Sequence, residues 1–131
     1  MYDYARVPLE NICVEGVYND DTAALGVTGV VFGDITNPGA TIVSPHIALY
    51  NLTIKNFNVG LWLANAYKSS AYNINVIACN YGIYATEGGI VPWNCFSPHI
   101  ECCYFAFYNT ASGYAEARFF GGAFEYNRFQ Y

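Results

Sequence analysis

The chain has 131 residues, enough for one domain; 54% are hydrophobic and only 11% charged, against roughly 25% charged in an ordinary soluble domain. Its net charge of −5, with two Lys and three Arg scattered singly, excludes a basic stripe for nucleic acid. No run of about 20 apolar residues and no charged-then-apolar leader occurs, so neither a membrane span nor a signal peptide is expected.

The surface must therefore be polar without being ionic. Thirteen Asn and thirteen Tyr, with Ser, Thr and Gly, supply that polarity. The five cysteines (Cys13, Cys79, Cys95, Cys102 and Cys103) form no C-x-x-C pair and no ligand spacing with His. They read as reduced, buried thiols made in a reducing cytoplasm, and neither metal nor cofactor is expected.

In chain order, helix periodicity is absent and short β segments alternate with Gly, Asn and Ser. "ICVEGV" (Ile12 to Val17) is the first segment. From Asp20 to Pro45 the pattern is least regular; "GVTGVVFGDITNPGATIV" is expected to hold at least one further turn of structure, and "NDD" (Asn19 to Asp21) a chain turn. "LTIKNF" (Leu52 to Phe57) and "INVIAC" (Ile74 to Cys79) then match at an offset of 22 residues, including the preceding Asn51 and Asn73 and the following Asn58 and Asn80. "NVGLWLA" (Asn58 to Ala64) matches "NYGIYAT" (Asn80 to Thr86) at the same offset, with Gly60 and Gly82 marking a tight bend or a positive φ. "IECCYF" (Ile100 to Phe105) follows 26 residues after the Ile74 copy, and "FEYNRF" (Phe124 to Phe129) 24 later; the delay is assigned to a loop over residues 86–98.

Hydrophobic first, third and sixth positions describe a strand with two inward residues, a corner, and an inward residue on the next strand. Repeats of 22–26 residues that cannot bury an apolar face alone must stack into a coil of parallel strands. The fold class is therefore all-β: a parallel solenoid of roughly five rungs forming one domain over residues 1–131. A β-sandwich or barrel is the alternative, but neither requires matched Asn and Gly at a fixed offset.

The run "NLTIKNFNVGLWL…NINVIACNYGIYA" resembles the right-handed parallel β-helix of pectate-lyase-like proteins, and most of all bacteriophage tailspikes and related polysaccharide depolymerases. The resemblance covers about Ile47 to Tyr131. It implies a segment of a longer homotrimeric chain, located in the virion or outside the cell, that binds and hydrolyses a bacterial surface polysaccharide. A non-catalytic assembly segment is the competing reading. A lyase acting by β-elimination, with Arg118 or Arg128 as base, is a third, although the acidic cluster that would hold calcium is missing.

The second position of each hexamer points outward, and that column reads Cys13, Thr53, Asn75, Glu101 and Glu125. Glu101 and Glu125 thus fall on adjacent rungs about 5 Å apart at the backbone. That spacing suits a retaining glycosidase, in which one carboxylate is nucleophile and the other acid/base. Thr53 and Asn75 would bind substrate hydroxyls. Alternation sends Trp62 outward with Tyr84 in the same column, a platform for sugar rings or for a neighbouring subunit. Trp93 is placed in the 86–98 loop as a further substrate contact, beside Glu87 and Asn94. "SPHI" occurs at Ser44 to Ile47 and Ser97 to Ile100, but its histidines (His46 and His99) are read as structural.

Overall fold

The computed structural model describes residues 9–16, 24–32, 48–64, 69–86, 92–110 and 116–129. Every element among them is a strand, and no described helix is long and apolar enough to cross a membrane. The described residues make five passes. The first is β1 (Leu9–Glu10), β2 (Cys13–Glu15) and β3 (Ala24–Phe32); the second is β4 (Ala48–Tyr50), β5 (Thr53–Lys55) and β6 (Phe57–Leu63). The third is β7 (Ser70–Tyr72), β8 (Asn75–Ile77) and β9 (Tyr81–Ala85). The fourth is β10 (Trp93–Phe96), β11 (His99–Glu101) and β12 (Phe105–Asn109). The last is β13 (Ala117–Phe120) and β14 (Ala123–Glu125), after which Phe129 bridges to Phe105. The first four passes each add one strand to each of three stacked sheets and the last adds one to the first two, giving the orders β1-β4-β7-β10-β13, β2-β5-β8-β11-β14 and β3-β6-β9-β12, with all pairings parallel. Parallel strands stacked in this order are compatible with a solenoid.

The strands are short because single residues in the left-handed region turn the corners. Asn11, Asn51, Asn73 and Ser97 (φ 56, 53, 52 and 51°) lead from the first sheet to the second, with Gly121 (φ 66°) closing the series. Asn56, Ala78, Cys102 and Tyr126 turn the second corner in the same way. Such a conformation costs an L-residue about 1–2 kcal/mol, which explains the Asn bias. The side chains offset that cost: Asn51 Nδ2 donates to Asn11 Oδ1 at 3.0 Å, and Asn73 Nδ2 to Asn51 Oδ1 at 3.2 Å. Asn51→Ala, which breaks both bonds and keeps the strained φ, is expected to lower stability in urea melts by about 1–2 kcal/mol. Asn51→Gly relieves the strain and should recover part of the loss.

Between the sheets lies one apolar core, built from register columns. Leu49, Ala71, Cys95 and Phe119 come from the first sheet, Val14, Ile54, Val76, Ile100 and Phe124 from the second, and Val30, Leu61, Ile83 and Phe107 from the third. Ile54, Val76, Ile100, Leu61 and Ile83 are fully buried, each contributing about 1.5–3 kcal/mol by removal from water.

The structure corrects four details of the sequence reading. Val76 pairs with Ile100, and Ile100 with Phe124, so Ile100 is a third position and Pro98 the first. The last two hexamers were thus set two residues late. The loop is shorter than 86–98, because Trp93–Phe96 is β10; residues 87–91, including Glu87, lie outside the described residues. The 20–45 stretch inserts no extra rung, since β1, β2 and β3 pair directly with β4, β5 and β6; Asn19 to Asp21 and residues 33–47, with His46, lie outside the described residues. The two SPHI copies are out of phase, as the 22-residue register requires: the second leads into the second sheet, whereas the residues after the first enter the first.

Gly60 and Gly82 are the fourth correction. They sit inside β6 and β9 without positive φ, and space rather than torsion selects them. A Cβ on Gly60 would lie 2.5 Å from Val76 Cγ1 and 2.7 Å from the Gly82 carbonyl oxygen.

The cysteines behave as small core residues where the passes enclose them. Cys79, Cys95 and Cys103 are buried, Cys13 and Cys102 exposed, and none is in a disulfide. Burial pushes the Cys95 thiol up to about 12; a hydrogen bond to Cys79 and then burial push the Cys103 thiol up as well. Alkylation of the native protein at mildly alkaline pH is expected to modify Cys13 and Cys102 only, with the other three reacting after denaturation, as counted by mass spectrometry. Because Cys95 ionises more readily unfolded, its contribution is complete below the unfolded value of 9.0 and is lost as pH rises toward about 12.

Candidate functional site on two outward faces

The third sheet turns an aromatic face outward. Trp62, Tyr84 and Tyr108 occupy one register column, and their rings lie 5.3 and 5.7 Å apart in succession. Tyr81 and Phe105 occupy another and stack at 5.4 Å with 5° between planes. Strict alternation would send Tyr81 and Tyr84 to opposite faces. Gly82 and Ile83 are both buried between them, so the pattern slips by one and both rings stand outside, 5.5 Å apart. Phe105 and Tyr108 repeat this at 4.9 Å. Phe129 extends the patch by stacking on Phe105 at 5.1 Å, and Tyr104 meets both of these rings edge-on.

Polar groups border the rings. Trp62 Nε1 donates to Thr86 Oγ1 at 3.0 Å, and Thr110 Oγ1 to Tyr84 Oη at 3.4 Å. Asn80 Nδ2 donates to Asn58 Oδ1 at 2.9 Å. Asn58, Asn80, Tyr81, Tyr104 and Phe105 enclose an open groove of about 330 Å³. Apolar ring faces with a few fixed amide and hydroxyl groups can take the C–H face and the hydroxyls of a sugar.

The outer face of the second sheet carries the carboxylates. Its two outward columns read Cys13, Thr53, Asn75, His99 and Ala123, and beside them Glu15, Lys55, Ile77, Glu101 and Glu125. Glu101 and Glu125 are direct register partners, as the repeat indicated. Thr53 and Asn75 belong to the neighbouring column rather than to that of the two acids, and Asn75 Nδ2 donates to Thr53 Oγ1 at 3.4 Å. The reason is the two-residue register error described above. His99 fills the freed place. Its Nε2 lies 3.6 Å from Glu101 Oε2 and 3.8 Å from Glu125 Oε2, so a protonated imidazole would bridge both acids.

Trp93 is the clearest departure from the expected set. It starts β10, is fully buried, and meets Phe119 edge-on at 5.9 Å, so it is a core residue and no substrate contact. Asn94, expected beside it in the loop, is on β10 as well. Sequence reasoning missed His99, whose placement with Glu101 is legible in "HIE" once Ile100 is known to point inward. It also missed Tyr81, Tyr104, Phe105 and Tyr108; spacings of three in "YGIY" and "FAFY" carry that signal only if two consecutive residues are buried.

No protein-family model, curated protein or solved structure matches this chain.

Proposed function

We propose that this chain is a right-handed parallel β-helix segment of a homotrimeric, tailspike-like protein of a virion or the extracellular space. In this reading it binds a bacterial surface polysaccharide along the outer face of its third sheet. The observation that carries the reading is the continuous array of Trp62, Tyr81, Tyr84, Phe105 and Tyr108 beside the Asn58–Asn80 bond. Rungs about 4.8 Å apart repeat the rings along the stack, as an extended chain of sugars requires. Retention of purified capsular or lipopolysaccharide glycans by the immobilised protein tests it; failure to retain any glycan from a broad bacterial panel overturns it.

Hydrolysis is a second reading, favoured by the register pairing of Glu101 with Glu125. One carboxylate would attack the anomeric carbon while the other protonates the leaving oxygen and later activates water. His99, between them, would hold both side chains in position. On a glycan that the protein retains, the wild type should release shorter chains and both Glu101→Gln and Glu125→Gln should not. Equal release by all three removes the pair from consideration.

The competing structural reading uses the same aromatic face as a contact between subunits. Val27 and Val31, 49% and 39% exposed on the same sheet, favour it locally. Solution scattering separates the two readings: a trimer whose aromatic face stays open to small-molecule quenchers supports glycan binding, and one that buries the face supports assembly.

A further inference from the structure

Three described residues carry a permanent positive charge, and they differ in one respect. Lys55 Nζ lies 3.1 Å from Glu15 Oε2, and Arg118 Nη2 2.6 Å from Glu116 Oε1. Arg128 has no carboxylate partner among the described residues. Its guanidinium instead lies over the Tyr104 ring, 4.9 Å from the centroid, and 5.7 Å from that of Phe129. Tyr104 is itself a wall of the groove formed with Asn58, Asn80, Tyr81 and Phe105. In a chain of net charge −5, a lone cation held on an aromatic wall marks where a negative ligand would be tolerated.

The polar floor of the groove is also incompletely used. The Asn80-to-Asn58 bond consumes one amide proton and one carbonyl, leaving the Asn58 amide as donor and the Asn80 carbonyl as acceptor. Across two rungs that leaves both Asn58 amide protons and the second Asn80 amide proton as donors and the Asn80 carbonyl as acceptor, beside the stacked rings of Tyr81 and Phe105.

We infer that this groove is a subsite for an acidic sugar, one whose carboxylate pairs with the Arg128 guanidinium while its ring lies against Tyr81 and Phe105. The inference rests on the glycan-binding reading above and adds the substrate class. Arg offers a planar fork that matches a carboxylate in two parallel hydrogen bonds, which a Lys would not. The Asn58 amide and the Asn80 carbonyl would take ring hydroxyls. A neutral sugar could stack equally well but would leave the cation unused.

The test is calorimetric titration of the 131-residue protein with matched pairs of oligosaccharides of several linkages, each neutral tetrasaccharide against its C6-oxidised uronate and its 6-phosphate. Wild type should favour the uronate member by about tenfold, a preference that shrinks with added salt. Arg128→Gln should bring the pair to parity and Arg128→Lys should keep only part of the preference, with urea midpoints unchanged for this exposed position. Lys55→Gln, which removes a cation from another face, should leave the preference intact. Equal binding of both members by wild type overturns the inference and leaves glycan binding standing. Tighter binding of the 6-phosphates overturns the carboxylate assignment, and no binding of any member overturns the inference together with the reading beneath it.

Discussion

Gly82→Ala is expected to destabilise the fold by about 3 kcal/mol, at the upper end of the cost of overpacking a core. A Cβ there would lie 2.7 Å from the Ala106 carbonyl oxygen, 2.9 Å from Ile100 Cγ2 and 3.3 Å from Cys103 Sγ. The first of these atoms belongs to the next pass's backbone, which cannot move without breaking its own ladder. The second belongs to a β-branched side chain with few alternative rotamers. Gly29, Gly60 and Gly82 form one column, and Ala106 follows it in the next pass as a fully buried residue. Gly60→Ala should behave like Gly82→Ala for the same reason. Urea denaturation measures both; a midpoint for Gly82→Ala equal to wild type would mean that the second and third sheets do not pack at this distance. Because these glycines also let Tyr81 and Tyr84 share a face, a partly folded variant should lose glycan retention as well.

Tyr81→Ala is expected to weaken glycan binding by about ten- to a hundredfold, or roughly 1.4–2.8 kcal/mol, the scale of a central aromatic anchor. Tyr81 is within 5.5 Å, centroid to centroid, of Tyr84, Phe105 and Tyr108, and it also lines the groove with Asn58 and Asn80. Removing it opens the centre of the platform rather than its rim. The control is Tyr72→Ala. Tyr72 stacks between Tyr50 and Phe96 at 4.8 Å on either side, in a ring ladder on the first sheet. The two substitutions remove the same side chain from comparably stacked rings on different faces. Loss of binding with Tyr81→Ala alone locates the glycan on the third sheet. Equal loss with both would mean that binding follows general stability and not this face.

Much of this was legible in the residues because parallel stacking makes sequence periodic. The 22-residue match of "LTIKNF" with "INVIAC" survives as the pairing of β5 with β8, and Asn51 and Asn73 stand at equivalent corners. The neighbourhood of Glu101 and Glu125 was also found correctly, although from hexamers set two residues late. A common shift moves both acids together and, being even, leaves them on the same side of the strand. Measured against the earlier copies the same shift is visible. It put Thr53 and Asn75 in the acids' column and hid His99, which now lies between them.

Alternating apolar residues, recurrent Asn corners and a near-constant repeat therefore determined the strand class and the parallel stacking. Those features follow from local side-chain direction and from the need of each pass to bury one face. Tertiary structure alone decided that Trp93 joins the core and that Tyr81 and Tyr84 share a surface. It alone decided, too, that Gly60 and Gly82 are fixed by a neighbour's carbonyl rather than by their own torsion. Each of these depends on what the adjacent pass places opposite a residue. That distance is set by packing between chain segments 22 or more residues apart, and no local pattern encodes it.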